Sequence, residues 1–307
     1  MTEHFVTLFD SYFLPQGITL YKSLEEKMSK DFILWVLCMD HETYEILNGL
    51  NLKKIRLMSL NDHECSELLS VKKTRTKGEY CWTMTPFSAK FVFQLDESVN
   101  RVTYIDADMW LLRDPKEIFD AFETSNKNVL ITEHAPAPEY DQSEISGRFC
   151  VQYISFNRKG GEKVRNWWEQ KCLEWCYARA ENGKFGDQKY LDEWPKIFAD
   201  DVFIYSDFGA FMAPWNAKIF KHESSIFFHF HGLRIFRYMK LNLVNQTPYK
   251  IPSTVWEKIY LPYLKSFSSS MAALPDNFAK EKYKVSILIF CKKLINLSLR
   301  NKKIKFL

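Results

Sequence analysis

Short apolar runs alternate with helical patterns at the start of the chain, and this alternation constrains the fold more than any other feature. Residues 5–9 and 31–39 are continuous apolar runs, which are typical of strands buried on both faces of a sheet. Residues 18–27 and 42–50 have helical periodicity, and residues 55–60 return to a strand pattern. Strands that alternate with helices predict an α/β fold with a mainly parallel sheet flanked by helices.

The rest of the chain continues this pattern without an internal repeat or a clear linker. A polar, basic loop is predicted at residues 72–80, and helices at residues 86–95 and 162–180. Further strands are predicted at residues 101–105, 129–132, 151–156, 198–205 and 225–230. We therefore predict one α/β domain over residues 1–250 and a C-terminal aromatic and basic appendage with an amphipathic helix over residues 251–307.

Positive charge is concentrated at one end of the chain. The formal net charge is only +4, from 42 basic and 38 acidic residues. Residues 281–307 contain seven Lys and one Arg against one Glu, which leaves residues 1–280 slightly acidic and argues against nucleic acid as a partner. Residues 287–300 would place apolar and basic side chains on opposite faces of a helix. This pattern predicts attachment of residues 281–307 to an anionic membrane surface, and packing of the helix on the protein's own body is the alternative.

The cysteines and the N-terminus bear on the cellular compartment. Seven cysteines at irregular spacing, without a CxxC pair, are typical of reduced thiols. The first residues have neither a basic segment nor a long apolar stretch, and no window of 18 uninterrupted apolar residues occurs. We therefore predict a cytoplasmic protein that is peripheral on the inner face of the membrane.

Two aspartates directly follow one of the predicted strands. Asp106 and Asp108 flank Ala107 after the apolar residues 102–105. In extended chain, residues i and i+2 point to the same side, so both carboxylates would project from the carboxyl edge of the sheet, where open α/β folds bind ligands. Such carboxylates repel each other unless a cation lies between them, and Mg²⁺ and Mn²⁺ prefer carboxylate and phosphate oxygens. The pair predicts a divalent metal that bridges the protein and a diphosphate, and a solvated turn is the alternative.

Five segments of the chain carry a more specific pattern. They are TLFDSYFLPQGITLYKSL (7–24), VTYIDADMWLLRDP (102–115), FGDQKYLDEWP (185–195), APWN (213–216) and FFHFHGL (227–233). In this order they resemble nucleotide-sugar glycosyltransferases with a GT-A fold, especially glycosyltransferase family 8 and its bacterial relatives. The resemblance implies a Rossmann-like sheet, a UDP-sugar as donor substrate, and Mn²⁺ or Mg²⁺ as cofactor.

The resemblance implies that a late histidine completes the metal site. In the family, two aspartates and the histidine of an HxxG pattern hold the cation, which corresponds to Asp106, Asp108 and His229. His231 would lie on the same side of an extended strand, so it stays a second candidate ligand. The family usually continues with a lysine that reaches the diphosphate, and Ile235 occupies that position here.

Other basic side chains are candidates for the role of the missing lysine. Arg234 follows the HxxG segment, whereas Arg75 and Lys77 lie in the predicted basic loop, for which a solvated surface is the alternative. The resemblance also implies that Asp10 accepts a hydrogen bond from the uracil ring and that Phe13 stacks on the same base. Without the resemblance, Asp10 is typical of a turn or a helix cap.

Three polar residues are implied to contact the transferred sugar. Asp187 and Gln188 match the family's segment beside this sugar, as sugar-binding and transition-state-stabilising residues. Capping of the following helix is the alternative for Asp187, and both roles can hold together. Residues 149–157 resemble a family strand that begins FNSG, with Cys150 in place of its asparagine and Gln152 in place of its glycine. Gln152 would then supply an amide contact to the donor sugar.

Together these residues imply a metal-dependent hexosyltransferase. Such an enzyme moves a sugar from a UDP-hexose to a glycan or lipid-linked acceptor, with retention of configuration, in surface polysaccharide or glycoconjugate synthesis. The metal and nearby basic groups would stabilise charge that develops on the departing nucleoside diphosphate. Two other classes share the acidic pair: a metal-dependent hydrolase of nucleotide sugars and an inactive nucleotide-sugar-binding module.

Overall fold

The strands and helices follow the alternation predicted from the sequence. The computed structural model describes residues 2–238, 241–246, 248–275 and 278. The strands are β1 (Glu3–Phe9), β2 (Phe32–Cys38), β3 (Ile55–Ser59), β4 (Arg101–Ile105), β5 (Met109–Leu111), β6 (Val129–Glu133), β7 (Phe149–Asn157), β8 (Val202–Ile204), β9 (Phe211–Met212), β10 (Phe227–His229), β11 (Arg234–Tyr238) and β12 (Leu241–Asn245). The helices are α1 (Leu14–Lys27), α2 (His41–Leu50), α3 (Leu60–His63), α4 (Ser66–Lys72), α5 (Lys77–Leu95), α6 (Lys116–Ser125), α7 (Ser143–Ser146), α8 (Arg158–Glu174), α9 (Trp194–Ile197), α10 (Ser253–Val255) and α11 (Leu261–Ala272).

A seven-stranded sheet with the order β3-β2-β1-β4-β7-β6-β8 forms the centre of the molecule. Strand β1 pairs in parallel with β2 and β4, β2 with β3, and β6 with β8. Strand β7 is antiparallel to both β4 and β6. The predicted mainly parallel sheet is therefore confirmed. Because β1 and β4 run side by side in the same direction, the residues that follow them meet at one edge of the sheet.

Helices cover both faces of this sheet, as predicted. One hydrophobic cluster joins the sheet to α1, α2, α6 and α11, and a second cluster joins it to α4, α5 and α8. The apolar side chains of β1 divide between the clusters by strand alternation, with Phe5 in the first and Val6 in the second. Burial on both faces explains why the central strands are continuous apolar runs in the sequence.

The predicted boundaries differ most around α5. The predicted loop at residues 72–80 is wrong over its last part, because α5 begins at Lys77. Thr76 and Glu79 form a capping box, in which the amide of each residue donates a hydrogen bond to the side chain of the other. The polar composition of this segment therefore reflects a helix start rather than a loop.

Two later predictions need similar corrections. The predicted helix at residues 162–180 corresponds to α8, which ends earlier than predicted, at Glu174. Lys159 and Gly160 have non-helical backbone angles, so the continuous part of α8 begins next to the predicted start at residue 162. The predicted strand at residues 198–205 is reduced to β8, since the turn that follows α9 occupies residues 198–201.

The last described helices pack against the main core. A π-helical turn, Trp256–Tyr260, leads into α11, and the hydroxyls of Thr19 in α1 and Ser270 in α11 lie 3.0 Å apart. Tyr263 stacks on Phe230 with ring centroids 3.5 Å apart. The described part of the predicted appendage, residues 251–275 and 278, thus shares the hydrophobic core of the α/β domain.

The predicted membrane-binding segment, residues 281–307, lies outside the described residues. Within the described part of the chain, none of the helices has the length and apolar character needed to cross a membrane.

Candidate active site

Asp106 and Asp108 lie in a turn at the carboxyl end of β4. The amide of Asp106 donates to the carbonyl of Gln152 on the neighbouring strand β7, at 3.1 Å. The chain then turns, because the amide of Met109 donates back to the carbonyl of Asp106 at 3.1 Å. The two carboxylates thus come together through a turn, whereas the sequence predicted an extended segment.

His229 approaches the two aspartates from a second sheet. Strand β10 pairs antiparallel with β5 and sets His229 opposite Met109, directly beside the turn. The Nε2 atom of His229 lies 3.1 Å from an oxygen of Asp108 and 3.7 Å from an oxygen of Asp106. One ligand atom from each of the three residues falls within a span of 4.8 Å. Two carboxylates and one imidazole nitrogen at this spacing fit a divalent cation such as Mn²⁺ or Mg²⁺.

The charges at this site explain why a cation fits there. Burial and the negative charge of Asp108 raise the pKa of Asp106. Burial also opposes ionisation of Asp108, but the imidazole of His229 outweighs it and lowers the pKa of Asp108. Although burial opposes protonation of His229, the two carboxylates raise its pKa well above the usual value. The imidazolium thus partly neutralises the carboxylates, a role that a bound cation would take over.

Gln152 lies behind His229 and orients its ring. The Oε1 atom of Gln152 is 2.8 Å from Nδ1 of His229, and the Gln152 side chain is only 1% exposed. A proton on Nδ1 that is donated to this amide leaves the lone pair of Nε2 for a metal. The structure therefore places Gln152 against the candidate ligand, and not among the residues that line the adjacent cavity.

His231 lies beside the same cluster but does not join it. Its ring centroid is 5.5 Å from that of His229 and 5.5 Å from that of Trp215. Desolvation and then the neighbouring charge of His229 lower the pKa of His231 to about 4, although the ring is exposed at the mouth of the cavity. Among the described residues, the metal-compatible group contains His229 and not His231.

A cavity of about 380 Å³ opens beside the three candidate ligands. This volume falls in the range of small-molecule sites. Asp106 and His229 contribute to its lining, together with the buried residues Asp187 and Cys150. The lining continues to the surface at exposed Gln142, so the cavity connects the candidate metal site with solvent.

Asp187 and Gln188 both line this cavity. Asp187 is 5% exposed, and its carbonyl accepts a hydrogen bond from the indole of Trp168 at 2.8 Å. Its side chain makes no capping bond to the 3₁₀ helix Gln188–Glu193, so the helix-cap alternative is not realised. Burial and then the charge of Asp106 raise the pKa of Asp187 to about 8. A carboxyl group with this pKa is mostly protonated at neutral pH, and it lines the same cavity as Asp106 and His229.

Two further side chains at the cavity were given no role from the sequence. The hydroxyl of Tyr104 donates to Asp106 at 2.8 Å and fixes one carboxylate oxygen. Cys150, noted in the sequence only as a replacement for the family's asparagine, lines the cavity. Burial opposes its ionisation, but His134 and His229 lower the pKa of Cys150 to about 7. In the sequence, the contact of Tyr104 with Asp106 is indicated only by their spacing, because residues two apart in a strand point to the same side.

Segment 138–148 forms one wall of the cavity and is held by a charged pair. Asp192 accepts a hydrogen bond from the amide of Arg148 at 2.8 Å and another from the ammonium of Lys189 at 3.0 Å. The same ammonium donates to the carbonyl of Ser143 at 2.9 Å. These bonds connect the wall to the 3₁₀ helix that follows Asp187.

Gly147 makes this close approach sterically feasible. Its φ of +103° lies in a region that other residues rarely adopt. A Cβ at this position would lie 3.3 Å from the Cα of Lys189 and 3.5 Å from the carbonyl oxygen of Gln188. A larger residue would therefore push the wall away from the residues that line the cavity.

A narrow cleft on the other side of the acidic turn contains further predicted site residues. Phe13, Arg234 and Asp108 line it together. Asp10 is not among its lining residues, and the carboxylate of Asp10 accepts a hydrogen bond from the amide of Tyr12 at 3.1 Å. Asp10 therefore has the capping role at the 3₁₀ helix that follows β1, which the sequence allowed as an alternative.

Arg75 and Lys77, the two candidates from the predicted loop, do not line the cavities beside the acidic turn. The guanidinium of Arg75 donates to the hydroxyl of Thr83 in α5 and to the carbonyl of Leu173 in α8. This buried side chain joins two helices and lines neither of the cavities beside the acidic turn. Lys77 is exposed in the first turn of α5.

The protein has relatives of similar length in Bacillus subtilis (strain 168). The protein YfnF is 32% identical over 267 residues, which cover 80% of this chain and 87% of YfnF. This chain belongs to the YfnF family. A second relative, YfnD, is 28% identical over 294 residues, which cover 90% of the chain and 93% of YfnD. No protein-family model matches the chain.

Solved structures with the same architecture as this YfnF-family protein are glycosyltransferases. The galactosyltransferase LgtC, solved with donor and acceptor sugar analogs, has 13% identity and a TM-score of 0.56, covering 90% of this chain and 99% of LgtC. The glycosyltransferase GlyE of Streptococcus pneumoniae TIGR4 has 16% identity and a TM-score of 0.50, covering 94% and 66% of the two chains. The predicted GT-A fold is thereby confirmed for this member of the YfnF family.

The contact between Gln152 and His229 makes a testable prediction for the YfnF-family site. We expect Gln152→Met, which keeps the side-chain length but removes the acceptor, to weaken Mn²⁺ binding by about 10- to 100-fold. Gln152→Glu restores an acceptor for Nδ1–H and should retain binding. Calorimetric titration with Mn²⁺ measures the affinity, and thermal unfolding confirms that each variant folds. Equal Mn²⁺ affinity in the wild type and Gln152→Met would contradict the orienting role.

The Asp192 contacts make a second prediction for this YfnF-family chain. Asp192→Ala removes the acceptor of the Arg148 amide, so we expect hydrogen exchange of that amide to accelerate about tenfold. Exchange measured by mass spectrometry or NMR over residues 138–148 reports the effect. Asp200→Ala changes an exposed aspartate nearby in the chain and should leave this exchange unchanged. If Asp192→Ala behaves like Asp200→Ala, Asp192 does not hold the wall.

Proposed function

We propose that this protein is a metal-dependent glycosyltransferase that uses a nucleotide sugar, a UDP-hexose, as donor. One observation supports the proposal above all others: Asp106, Asp108 and His229 converge beside a cavity that also contains the carboxyl group of Asp187. This arrangement occurs at the carboxyl edge of the sheet in a GT-A fold, the architecture of LgtC and GlyE. A cation at the three ligands and a sugar in the cavity would place a diphosphate between them.

The roles of the residues follow from their positions. Asp106, Asp108 and His229 would hold the cation, which neutralises charge on the leaving diphosphate when it is bound. Arg234, beside Asp108 in the narrow cleft, would add positive charge on the nucleotide side, and Phe13 would pack against the base.

In the transfer step, an acceptor hydroxyl oxygen bonds to the anomeric carbon. The bond between that carbon and the diphosphate oxygen breaks, and the nucleoside diphosphate leaves with the electron pair. The hydroxyl proton passes to the departing diphosphate. Asp187 and Gln188, which line the cavity, would contact the transferred sugar. A cation that neutralises Asp106 would remove one cause of the raised pKa of Asp187, and the carboxylate form of Asp187 would then stabilise positive charge on the sugar ring.

The proposed acceptor and product concern the bacterial surface or another glycoconjugate. The acceptor is a glycan or a lipid-linked glycan, transfer retains the anomeric configuration, and the product enters surface polysaccharide or glycoconjugate synthesis. Attachment of residues 281–307 to an anionic membrane would bring the enzyme to a lipid-linked acceptor. Flotation with anionic liposomes, comparing the full chain with a chain that ends at Lys280 and so keeps α11 and the core residues after it, tests the attachment, and equal binding by both would reject it.

A panel of nucleotide sugars tests the central proposal. We expect a UDP-sugar to bind in the presence of Mn²⁺ and to release free sugar slowly when no acceptor is present. Failure of every UDP-sugar would reject the donor class, and equal binding after chelation would reject the metal. Sugar release at the same fast rate with and without acceptors would favour a hydrolase, while binding without any turnover would favour an inactive binding module.

A further inference from the structure

We propose that the outer part of the cavity is an acceptor subsite for a neutral sugar ring, with Tyr140, Trp215 and Tyr249 as its aromatic wall. This inference rests on the proposed glycosyltransferase function and names the substrate class of the second half of the same site. All three side chains line the cavity of about 380 Å³.

Successive ring contacts connect the three aromatic residues to the candidate metal ligand. The ring of Trp215 is centred 5.5 Å from that of His229. The ring of Tyr249 is centred 6.4 Å from that of Trp215, and the ring of Tyr140 is centred 5.1 Å from that of Tyr249. A donor whose diphosphate lies at His229 would occupy the near end of this row. The far end, at Tyr140 and Tyr249, is then left for a second sugar.

Hydrogen bonds hold the aromatic wall in place. The indole of Trp215 donates to the carbonyl of His134 at 2.7 Å, and the hydroxyl of Tyr140 accepts from the amide of Lys250 at 2.9 Å. The wall is therefore formed before any ligand binds, which lowers the entropic cost of binding. Aromatic rings with negatively polarised faces suit the C–H face of a pyranose.

Uncharged polar groups complete the outer lining. Gln142, Ser143 and Ser146 come from the segment held by Asp192. Amide and hydroxyl groups offer both donors and acceptors, which matches the hydroxyl groups of a sugar. An aromatic wall combined with such groups is the chemistry that recognises a carbohydrate ring.

The outer lining favours a neutral sugar over an anionic one. Within the described part of the chain, the cavity lining includes no lysine or arginine, and its three histidines, His134, His229 and His231, have ring centroids within 5.5 Å of that of Trp215, at the end of the row nearest the candidate metal ligand. A carboxylate on a sugar at Tyr140 and Tyr249 would lose water there without a lysine or arginine to pair with it. A neutral pyranose carries no such desolvation cost.

Binding of simple glycosides to the full chain tests the subsite. Methyl glucoside, methyl galactoside and methyl N-acetylglucosaminide serve as neutral probes, and methyl glucuronide serves as the anionic comparison. We expect saturation-transfer NMR to detect at least one neutral probe on the wild type, and at least a tenfold weaker signal or affinity with Tyr249→Ala. Tyr44→Ala, a half-buried tyrosine on α2 that does not line the cavity, should bind like the wild type.

The outcomes separate this inference from the proposed function. Calorimetric binding of UDP-sugar with Mn²⁺ is measured on the same variants and should stay within about threefold of the wild type in Tyr249→Ala. Binding of the glucuronide as tightly as the neutral probes, equal probe binding by Tyr249→Ala and the wild type, or no binding of any neutral probe overturns the subsite. Loss of the glycoside signal in Tyr249→Ala without any UDP-sugar binding to the wild type would instead reject the glycosyltransferase and keep a sugar-binding cavity.

Discussion

Replacing Asp106 by asparagine is expected to lower kcat/KM for the nucleotide sugar by about 10³-fold at saturating Mn²⁺. The substitution keeps the shape of the side chain but removes the charge that holds the cation, and lost stabilisation of a leaving diphosphate costs a factor of this size. Asparagine should not destabilise the fold, because burial and Asp108 already disfavour the charged form of Asp106. Turnover assays across Mn²⁺ concentrations, with thermal unfolding of the same variant, measure both expectations.

Ligand-dependent stability provides an independent reading of the same site. With saturating Mn²⁺ and UDP at 100 times its dissociation constant for the wild type, the unfolding free energy of the wild type should rise by about 2.7 kcal/mol. The same concentrations should hardly change the unfolding free energy of Asp106→Asn. Asp62→Asn, which changes an exposed aspartate in α3, should respond like the wild type. An Asp106→Asn enzyme that keeps activity within tenfold of the wild type would contradict the metal site.

The Asp187→Asn variant is expected to lose about 10²-fold in kcat while the KM for the donor changes little. Asp187 lines the cavity but is not one of the three candidate ligands, so its carboxylate, which forms when a cation neutralises Asp106, should act mainly on the charge that develops at the sugar in the transition state. Steady-state kinetics with a UDP-sugar and Mn²⁺ separates the two constants. A donor KM that rises as much as kcat falls would assign Asp187 to ground-state binding instead.

The same variant is expected to be more stable than the wild type at alkaline pH. Burial raises the pKa of Asp187 from 3.8 to about 8, so the folded state resists ionisation while the unfolded state ionises freely. The wild type therefore loses stability as the pH rises from about 4 to about 8, and asparagine removes this loss. We expect the gain for Asp187→Asn to be absent near pH 4 and to reach a few kcal/mol above pH 8. Chemical denaturation across this range would contradict the assignment if the gain were independent of pH.

Some elements of the site were predictable because their signals are local. The apolar strand β4 followed by Asp106 and Asp108 marks a sheet edge within a few residues of sequence. The GT-A fold was predicted from the alternation of strands and helices together with the resemblance, and it is confirmed. The implied role of His229 depended on the resemblance, since about half of the domain's length separates it from Asp108 and no local rule connects them.

Gln152 shows what local signals do not contain. The resemblance predicted a contact between Gln152 and the donor sugar, but the pairing of β7 with β4 sets its amide beside His229. Arg75 gives a similar lesson, because its basic neighbours suggested a phosphate-binding loop. In the fold its guanidinium joins α5 and α8.

The α/β architecture and the place of Asp106 and Asp108 at a strand end could be derived from the sequence, because strand periodicity and the residue that ends a strand are properties of neighbouring positions. Tertiary contacts determined the turn that joins the two carboxylates, the histidine that meets them, the residues that hold the wall at 138–148 and the basic side chains that reach the site. Those choices depend on the pairing of β5 with β10 and on hydrogen bonds between segments far apart in the chain. Such contacts form only where packing of the whole core brings the segments together, so no single stretch of sequence encodes them.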